Sequence, residues 1–306
     1  MLQRSDNLKN KKISVIPDKY KGIICIVASA FCFTVMNSFV RLAGPDIPSI
    51  QKSFFRNSIA FIFALIVLLK SGSSLLPKNK KNIGIFILRA TCGTVGILCN
   101  FYAVDNLVLS DATMLTKMSP FFAVIFSMIF LREKTTAVQT IGVIVAFLGS
   151  LLIIKPTFTN MELIPSIVGL VGGIAAGAAY TAVRWLGVKG EKGAYIVFFF
   201  SGFSCLVTLP FLIFDYHPME LWQWIVLIIA GLAGAGGQFT ITAAYRYAPA
   251  KEISVYDYSQ ILFAAAFGFF MFSDIPDVWS ILGYIIICGM AVAMFLYNNR
   301  KSIKSE

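Results

Sequence analysis

Ten apolar runs alternate along this chain with short polar connectors. A helix needs roughly 20 residues to cross about 30 Å of hydrocarbon. The runs Gly22 to Leu42, Ile50 to Leu69, Ile83 to Ala103, Ser110 to Leu131, Ala137 to Ile154, Leu163 to Leu186, Ala194 to Phe214, Leu221 to Tyr247, Ile253 to Phe272 and Val278 to Tyr297 all approach that length. Connectors such as Pro45-Asp46-Ile47-Pro48, Pro77-Lys78-Asn79-Lys80 and His217-Pro218 combine proline with polar residues and are too short for an extramembrane domain. The pattern predicts an all-α polytopic membrane protein with ten transmembrane helices.

Composition excludes a soluble enzyme. The 306 residues are 58% hydrophobic and 13% charged, against roughly 45–50% and about 25% in soluble domains. At a mean hydropathy of +0.78 there is more apolar sequence than a soluble core can bury. The net charge of +11 would suggest nucleic acid in a soluble chain; here the basic residues sort by loop. One side carries the basic N-terminal tail, then Lys70, Lys78, Lys80, Lys81, Arg132, Lys134, Lys189, Lys192, Arg246, Lys251, Arg300, Lys301 and Lys304. The other has little beyond Arg41 and Lys155 beside Asp46, Asp105, Glu162, Asp215, Glu220, Asp274 and Asp277. The positive-inside rule then makes both termini cytoplasmic in the cell (inner) membrane, which requires an even number of spans. Residues Met1 to Tyr20 are basic and lack an apolar core, so the first span is its own insertion signal. The six cysteines form no CxxC pair and the single histidine is His217, so no metal or cofactor is expected. A GxxxxGK[ST] phosphate loop is also absent, which leaves facilitated or ion-driven movement.

The chain repeats itself. A shift of 141 residues superimposes Gly93 on Gly234, Gly96 on Gly237, Ala103 on Ala244, Phe122 on Phe263 and Gly142 on Gly283, and pairs Asp111 with Glu252 and Glu133 with Asp274. Upstream the shift becomes 143 and aligns Phe39-Val40-Arg41-Leu42 with Ala182-Val183-Arg184-Trp185. Residues 22–155 and 163–297 therefore form two five-helix repeats, between a tail of 1–21 and a tail of 298–306. Five is odd, so the second repeat is inverted. Inverted repeats are characteristic of secondary transporters, which hold substrate near the midplane between halves.

Arg89-x-x-x-Gly93, Asn100-Phe101-Tyr102-Ala103, Leu109-Ser110-Asp111-Ala112-Thr113, Ser119-Pro120-Phe121 and Arg132-Glu133-Lys134 stand in order in the first half. Ala244-Tyr245-Arg246-Tyr247-Ala248-Pro249-Ala250 and Tyr256-Asp257-Tyr258-Ser259-Gln260 form the matching block of the second. In order and spacing these motifs resemble the EamA repeat of the drug/metabolite transporter superfamily over Gly22 to Tyr297. The resemblance implies ten helices, two repeats and movement of small metabolites. Lys117 departs from it, standing where such proteins commonly carry a small or neutral residue, and Asp274 replaces the usual Glu.

Polar side chains deep in a span cost about 2.5–3.5 kcal/mol each on insertion scales and so face a cavity or one another. Lys117 lies seven residues into its span, three before Pro120. Asp257 lies in the equivalent span, which enters from the opposite side, so inversion points both toward the centre. A direct ion pair, proton coupling and substrate contact are all open to them. Tyr256 and Tyr258 flank Asp257 and could hold a flat or cationic group. Arg56 and Arg89 could clamp a carboxylate or phosphate through their planar forks, or anchor topology, as could Arg184. Asn37, Asn100, Tyr180 and Gln238 add neutral hydrogen-bonding groups, for contact with ligand or between helices. Gly169-x-x-x-Gly173-x-x-x-Gly177 keeps one helical face bare for close packing.

These readings predict a secondary transporter that moves a small polar metabolite, an amino acid or a related zwitterionic or anionic compound, by alternating access. Asp257 is the candidate coupling residue and protons the candidate coupling ion; the lipid bilayer is the other partner, and no nucleic acid is expected. A channel or lipid flippase is the alternative, and a membrane-embedded enzyme a weaker one, because acid, base or metal ligands do not cluster.

Overall fold

The computed structural model describes residues 17–44, 46–72, 75–106, 115–154, 163–272 and 277–303. Within them every regular element is helical: α1 (Asp18–Leu42), α2 (Ser49–Lys70), a 3-10 turn (Lys80–Asn82), α3 (Ile83–Asn106), α4 (Ser119–Phe130), α5 (Ala137–Ile154), α6 (Leu163–Val188), α7 (Gly193–Phe214), α8 (Leu221–Tyr247), α9 (Ala250–Asp257), α10 (Ser259–Phe272) and α11 (Val278–Ile303). Among the sequence features above, Arg4 and the other basic residues before Pro17, Pro45, the motif from Leu109 to Thr113, Lys155, Glu162, Asp274 and Lys304 lie outside the described residues, as do the side chains of Asp105 and Lys301.

Local chemistry sets the helix ends. Pro17, Pro48 and Pro249 immediately precede α1, α2 and α9 with φ preset near the helical value. Glu220 and Gln223 form a reciprocal capping box on α8. Gly190 closes α6 at φ +75°, where its N–H reaches Gly187 O and the Glu191 N–H reaches Leu186 O, a termination that glycine alone adopts without strain.

The fourth and ninth spans, read from sequence as continuous, are both broken. In the fourth, a turn at Lys117 and Met118 separates Leu115 and Thr116 from α4. The cause is Pro120 in the first turn of α4, which cannot donate back into the preceding turn. In the ninth, Tyr258 separates α9 from α10, and no proline or glycine stands from Lys251 to Phe267. Here tertiary contact supports the break, because the buried Tyr258 hydroxyl donates to the Lys117 carbonyl at 3.3 Å. The two breaks thus meet, one from each repeat.

Helix packing follows the internal symmetry. The most extensive interfaces are α1 with α8 and α3 with α6, which exchange under the repeat, while α2 with α7 and α5 with α11 pair equivalents. Glycines permit the closest approaches: a Cβ on Gly173 would collide with the Leu115 carbonyl oxygen, and one on Gly177 would lie 2.6 Å from Phe122 Cβ, so the bare face of α6 seats the broken fourth span. Apolar side chains such as Ile62, Leu206, Phe270 and Ile285 project outward, as lipid contact requires.

The chain is two inverted five-helix repeats, and its packing is unequal along the membrane normal. We call the side that carries the start of α1 the terminal face. Ile26, Leu68, Phe86, Leu186, Ile196, Tyr245 and Ile253 belong to one buried cluster, and all lie toward helix ends on that face. The cluster nearest the other face is Ala43, Ile47 and Leu227.

Candidate functional site

A cavity of about 120 Å³ opens where the repeats meet, room for roughly ten waters at about 10–15 Å³ each. Its lining brings together Asn37, Arg56, Arg89, Asn100, Lys117, Tyr180, Gln238 and Asp257, eight of the ten residues picked out by polarity within apolar runs. Tyr256 and Tyr258 do not line it. About 100° of helix turn per residue carries them off the face that Asp257 presents, so the expected aromatic flank is replaced: the Tyr258 hydroxyl supports the break, and the Tyr256 hydroxyl is buried without a partner.

Lys117 and Asp257 form an ion pair at 3.5 Å, with side chains 5% and 7% exposed. The ammonium also donates to Gln260 Oε1 at 2.7 Å and to the Asp257 carbonyl at 3.4 Å. Gln260, missed from sequence, sits three residues after Asp257, and that helical spacing was the available signal. Thr116, also missed, donates its hydroxyl to Asn100 Oδ1.

The arginines are held differently. Arg56 donates to Asn57 Oδ1 at 2.9 Å and to Gln238 Oε1 at 3.4 Å, and its Nε lies 3.4 Å from Met36 Sδ. Arg89 lies with its guanidinium carbon 4.1 Å from the centre of the Phe200 ring, and its Nε has no hydrogen-bond partner. Among the described residues neither arginine meets a carboxylate. Two equivalent glycines make the room: a Cβ on Gly93 would collide with the Arg89 guanidinium and come within 2.7 Å of Phe200, and one on Gly234 would lie 3.0 Å from Arg56 Cγ. α2 and α7, both 22 residues long, align from their first residues, setting Phe54-Phe55-Arg56-Asn57 on Phe198-Phe199-Phe200-Ser201. Arg56 and Phe200 are therefore counterparts. Nothing in an apolar helix marks Phe200 or Met36 as site residues, and sequence reading passed over both.

Arg184 lies outside the cavity. It pairs with Glu133 at 3.0 Å and donates to the Arg246 carbonyl at 3.2 Å, while Glu133 also accepts from Ser127 Oγ at 2.5 Å. Left open from sequence between anion clamp and topology anchor, Arg184 forms a bridge between repeats at the terminal face. Glu191 makes a second bridge there, accepting from the backbone N–H groups of Lys78 and Asn79 and from Asn82 Nδ2 at 2.6–3.1 Å. On the other face Gln51 exchanges two hydrogen bonds with the His217 backbone. Among the described residues no group of three His, Cys, Asp or Glu side chains could hold a metal ion.

Comparison with known proteins agrees with this architecture. The profile of the EamA-like transporter family matches residues 20–155 and 163–296; the chain belongs to that family. It is 30% identical over 274 residues to the Pseudopaline exporter CntI of Pseudomonas aeruginosa, covering 89% of this chain and 95% of that one. It is 25% identical to the Riboflavin transporter of Brucella anthropi, covering 90% and 99%, and 26% identical to human Solute carrier family 35 member G1, covering 89% and 78%. A crystal structure with 12% sequence identity superimposes at a TM-score of 0.78 over 91% of this chain and 98% of its own, a likeness of fold. The chain is thus a multi-pass membrane transporter for a small metabolite.

Proposed function

We propose that this transporter carries an amino acid or a related zwitterionic or anionic compound across the cell membrane by alternating access, with both termini in the cytoplasm. The observation that supports the reading is the pair of buried guanidinium groups, Arg56 and Arg89, that face the cavity without a carboxylate partner among the described residues. A substrate carboxylate meets their planar forks, and the Lys117/Asp257 pair offers both signs of charge for the remainder. Asn37, Asn100, Tyr180 and Gln238 orient it, and Tyr256 and Tyr258 act from behind the cavity by supporting the ninth span. The relatives carry names with different substrates, so the cavity carries the argument.

The conformation reads as closed to the cytoplasm, because most of the buried cluster lies in the terminal half of the helices and the Glu133 and Glu191 bridges lie at the terminal face. Residues 22–155 and 163–297 are the units that rock about the meeting breaks, since discontinuous helices at the midplane are where transporters hold their cargo. Asp257 is the coupling candidate: a proton arriving there would release Lys117. The test uses purified protein in liposomes and a panel of labelled amino acids and related zwitterions. Saturable counterflow with trans-acceleration is expected, and Asp257→Asn is expected to abolish accumulation driven by a pH gradient while exchange persists. Flux that does not saturate would mark a channel, and accumulation that survives the substitution would remove Asp257 from coupling.

A further inference from the structure

Resting on the carrier reading above, we propose that the transported species is a dicarboxylate, with one carboxylate on Arg56 and the other on Arg89. The charge balance of the cavity points there. Among the described residues its lining holds three cationic side chains, Arg56, Arg89 and Lys117, and one anionic side chain, Asp257. Lys117 and Asp257 neutralise each other at 3.5 Å. The remainder is two guanidinium groups on residues 4% and 2% exposed, whose neighbours are a neutral amide pair, a thioether and an aromatic ring. Buried charge is costly unless paired, so an occupant that balances the site contributes two negative charges.

The placement of the arginines brings those charges to the cavity from opposite sides. Arg56 stands seven residues from the start of α2 and Arg89 six from the start of α3, and the two helices enter from opposite faces. At 1.5 Å per residue these are depths of about 10 Å and about 9 Å, so in a core of roughly 30 Å the two backbone positions differ by about 10 Å along the transport axis. The side chains close part of that distance, Arg89 reaching Gly93 and Arg56 reaching Gln238, so the two forks face one cavity from opposite sides, an arrangement that suits two carboxylates on a short carbon chain. Phe33 and Ile97 also line the cavity and suit that chain.

A balance of charge follows. Loaded with a dianion such as glutarate the cavity is neutral, and empty it carries two positive charges, so membrane potential acts on the return of the empty carrier and spares exchange. An inside-negative potential draws the empty site inward and favours export of the dicarboxylate.

The test titrates purified protein in detergent with glutarate, glutamate, butyrate, alanine and inorganic phosphate, read by intrinsic fluorescence, and repeats the panel on Arg56→Gln and Arg89→Gln. Glutarate or glutamate is expected to bind at least about tenfold more tightly than butyrate or alanine, and each substitution to erase that advantage. Where a glutamine variant elutes as aggregate, Arg56→Lys or Arg89→Lys takes its place, and each is expected to weaken the advantage without erasing it. Equal binding of butyrate and glutarate, stronger binding of phosphate, no binding from the whole panel, or an advantage that survives both glutamine substitutions would overturn the assignment. Counterflow in liposomes separates the two readings: dicarboxylate binding without counterflow of any compound refutes the carrier and leaves the binding assignment standing. Counterflow restricted to monoanions or zwitterions without a second carboxylate does the reverse. In the same liposomes an imposed inside-negative potassium potential is expected to accelerate net efflux and leave exchange unchanged; an equal effect on both would overturn the charge balance.

Discussion

A double-mutant cycle on Lys117 and Asp257 tests whether charge holds the two helix breaks together. At 3.5 Å and an effective dielectric of about 20, the gross attraction is about 5 kcal/mol, and breaking a buried pair from one side typically costs about 3–5 kcal/mol. With side chains 5% and 7% exposed, solvent screens little of it. The two single substitutions are expected to differ. After Asp257→Asn the ammonium still donates to Gln260 Oε1, now 2.7 Å away, and a hydrogen bond to a charged group retains about 1.5–3 kcal/mol; the loss is therefore about 2 kcal/mol. Lys117→Gln strands a buried carboxylate and is expected to cost the full amount, about 3–5 kcal/mol. The double variant removes both charges and is expected to lie within about 1 kcal/mol of the parent, because neutral replacement of a buried pair is often close to neutral. Unfolding by dodecyl sulfate in mixed micelles measures all four corners. Single substitutions that each cost little and simply add would refute the reasoning, and would leave the Tyr258 hydroxyl as the contact that joins the breaks.

Three further outcomes are expected. Gly173→Ala sets a methyl group against the Leu115 carbonyl and should lower thermal stability by about 1–3 kcal/mol, whereas Gly289→Ala in α11, with nothing within 4 Å, should be neutral or raise it by up to about 1 kcal/mol. Glu133→Gln removes the partner of Arg184 at the terminal face and should raise the labelling rate of a cysteine introduced at the buried position Thr181 by an impermeant maleimide applied from that side; an unchanged rate would count against a closing role. Reporters fused after Lys81 and Lys134 should read cytoplasm and one near His217 the outside, and a cytoplasmic signal at His217 would contradict the orientation.

Much of the architecture is written in apolar run length, because hydrocarbon thickness imposes it. Ala137 to Ile154 is α5 to the residue, and most other ends fall within a few positions of the helices described. The convergence of Arg89, Lys117 and Asp257 on one cavity was legible for a related reason, since charge at that depth has few places to go. Three things were hidden. The break at Tyr258 has no local signature, because its cause is a hydroxyl reaching a carbonyl freed in the other repeat. Phe200 and Met36 look like any lipid-facing side chain until the guanidinium groups beside them are seen. Arg184 has the same sequence context as a cavity arginine, and its partner, Glu133, lies 51 residues away.

The counterpart relation between Arg56 and Phe200 bears on which way the protein rests. If the halves of an inverted repeat were identical, its inside-open and outside-open forms would be images of each other and equal in energy across a symmetric bilayer. Every position at which the halves differ lifts that degeneracy. Here the differences fall at the centre: Arg56 against Phe200, and Lys117 against Tyr258. The residues that line the cavity therefore also set the resting bias of the cycle, so a change in what the site accepts will rarely leave the occupancy of the two forms untouched.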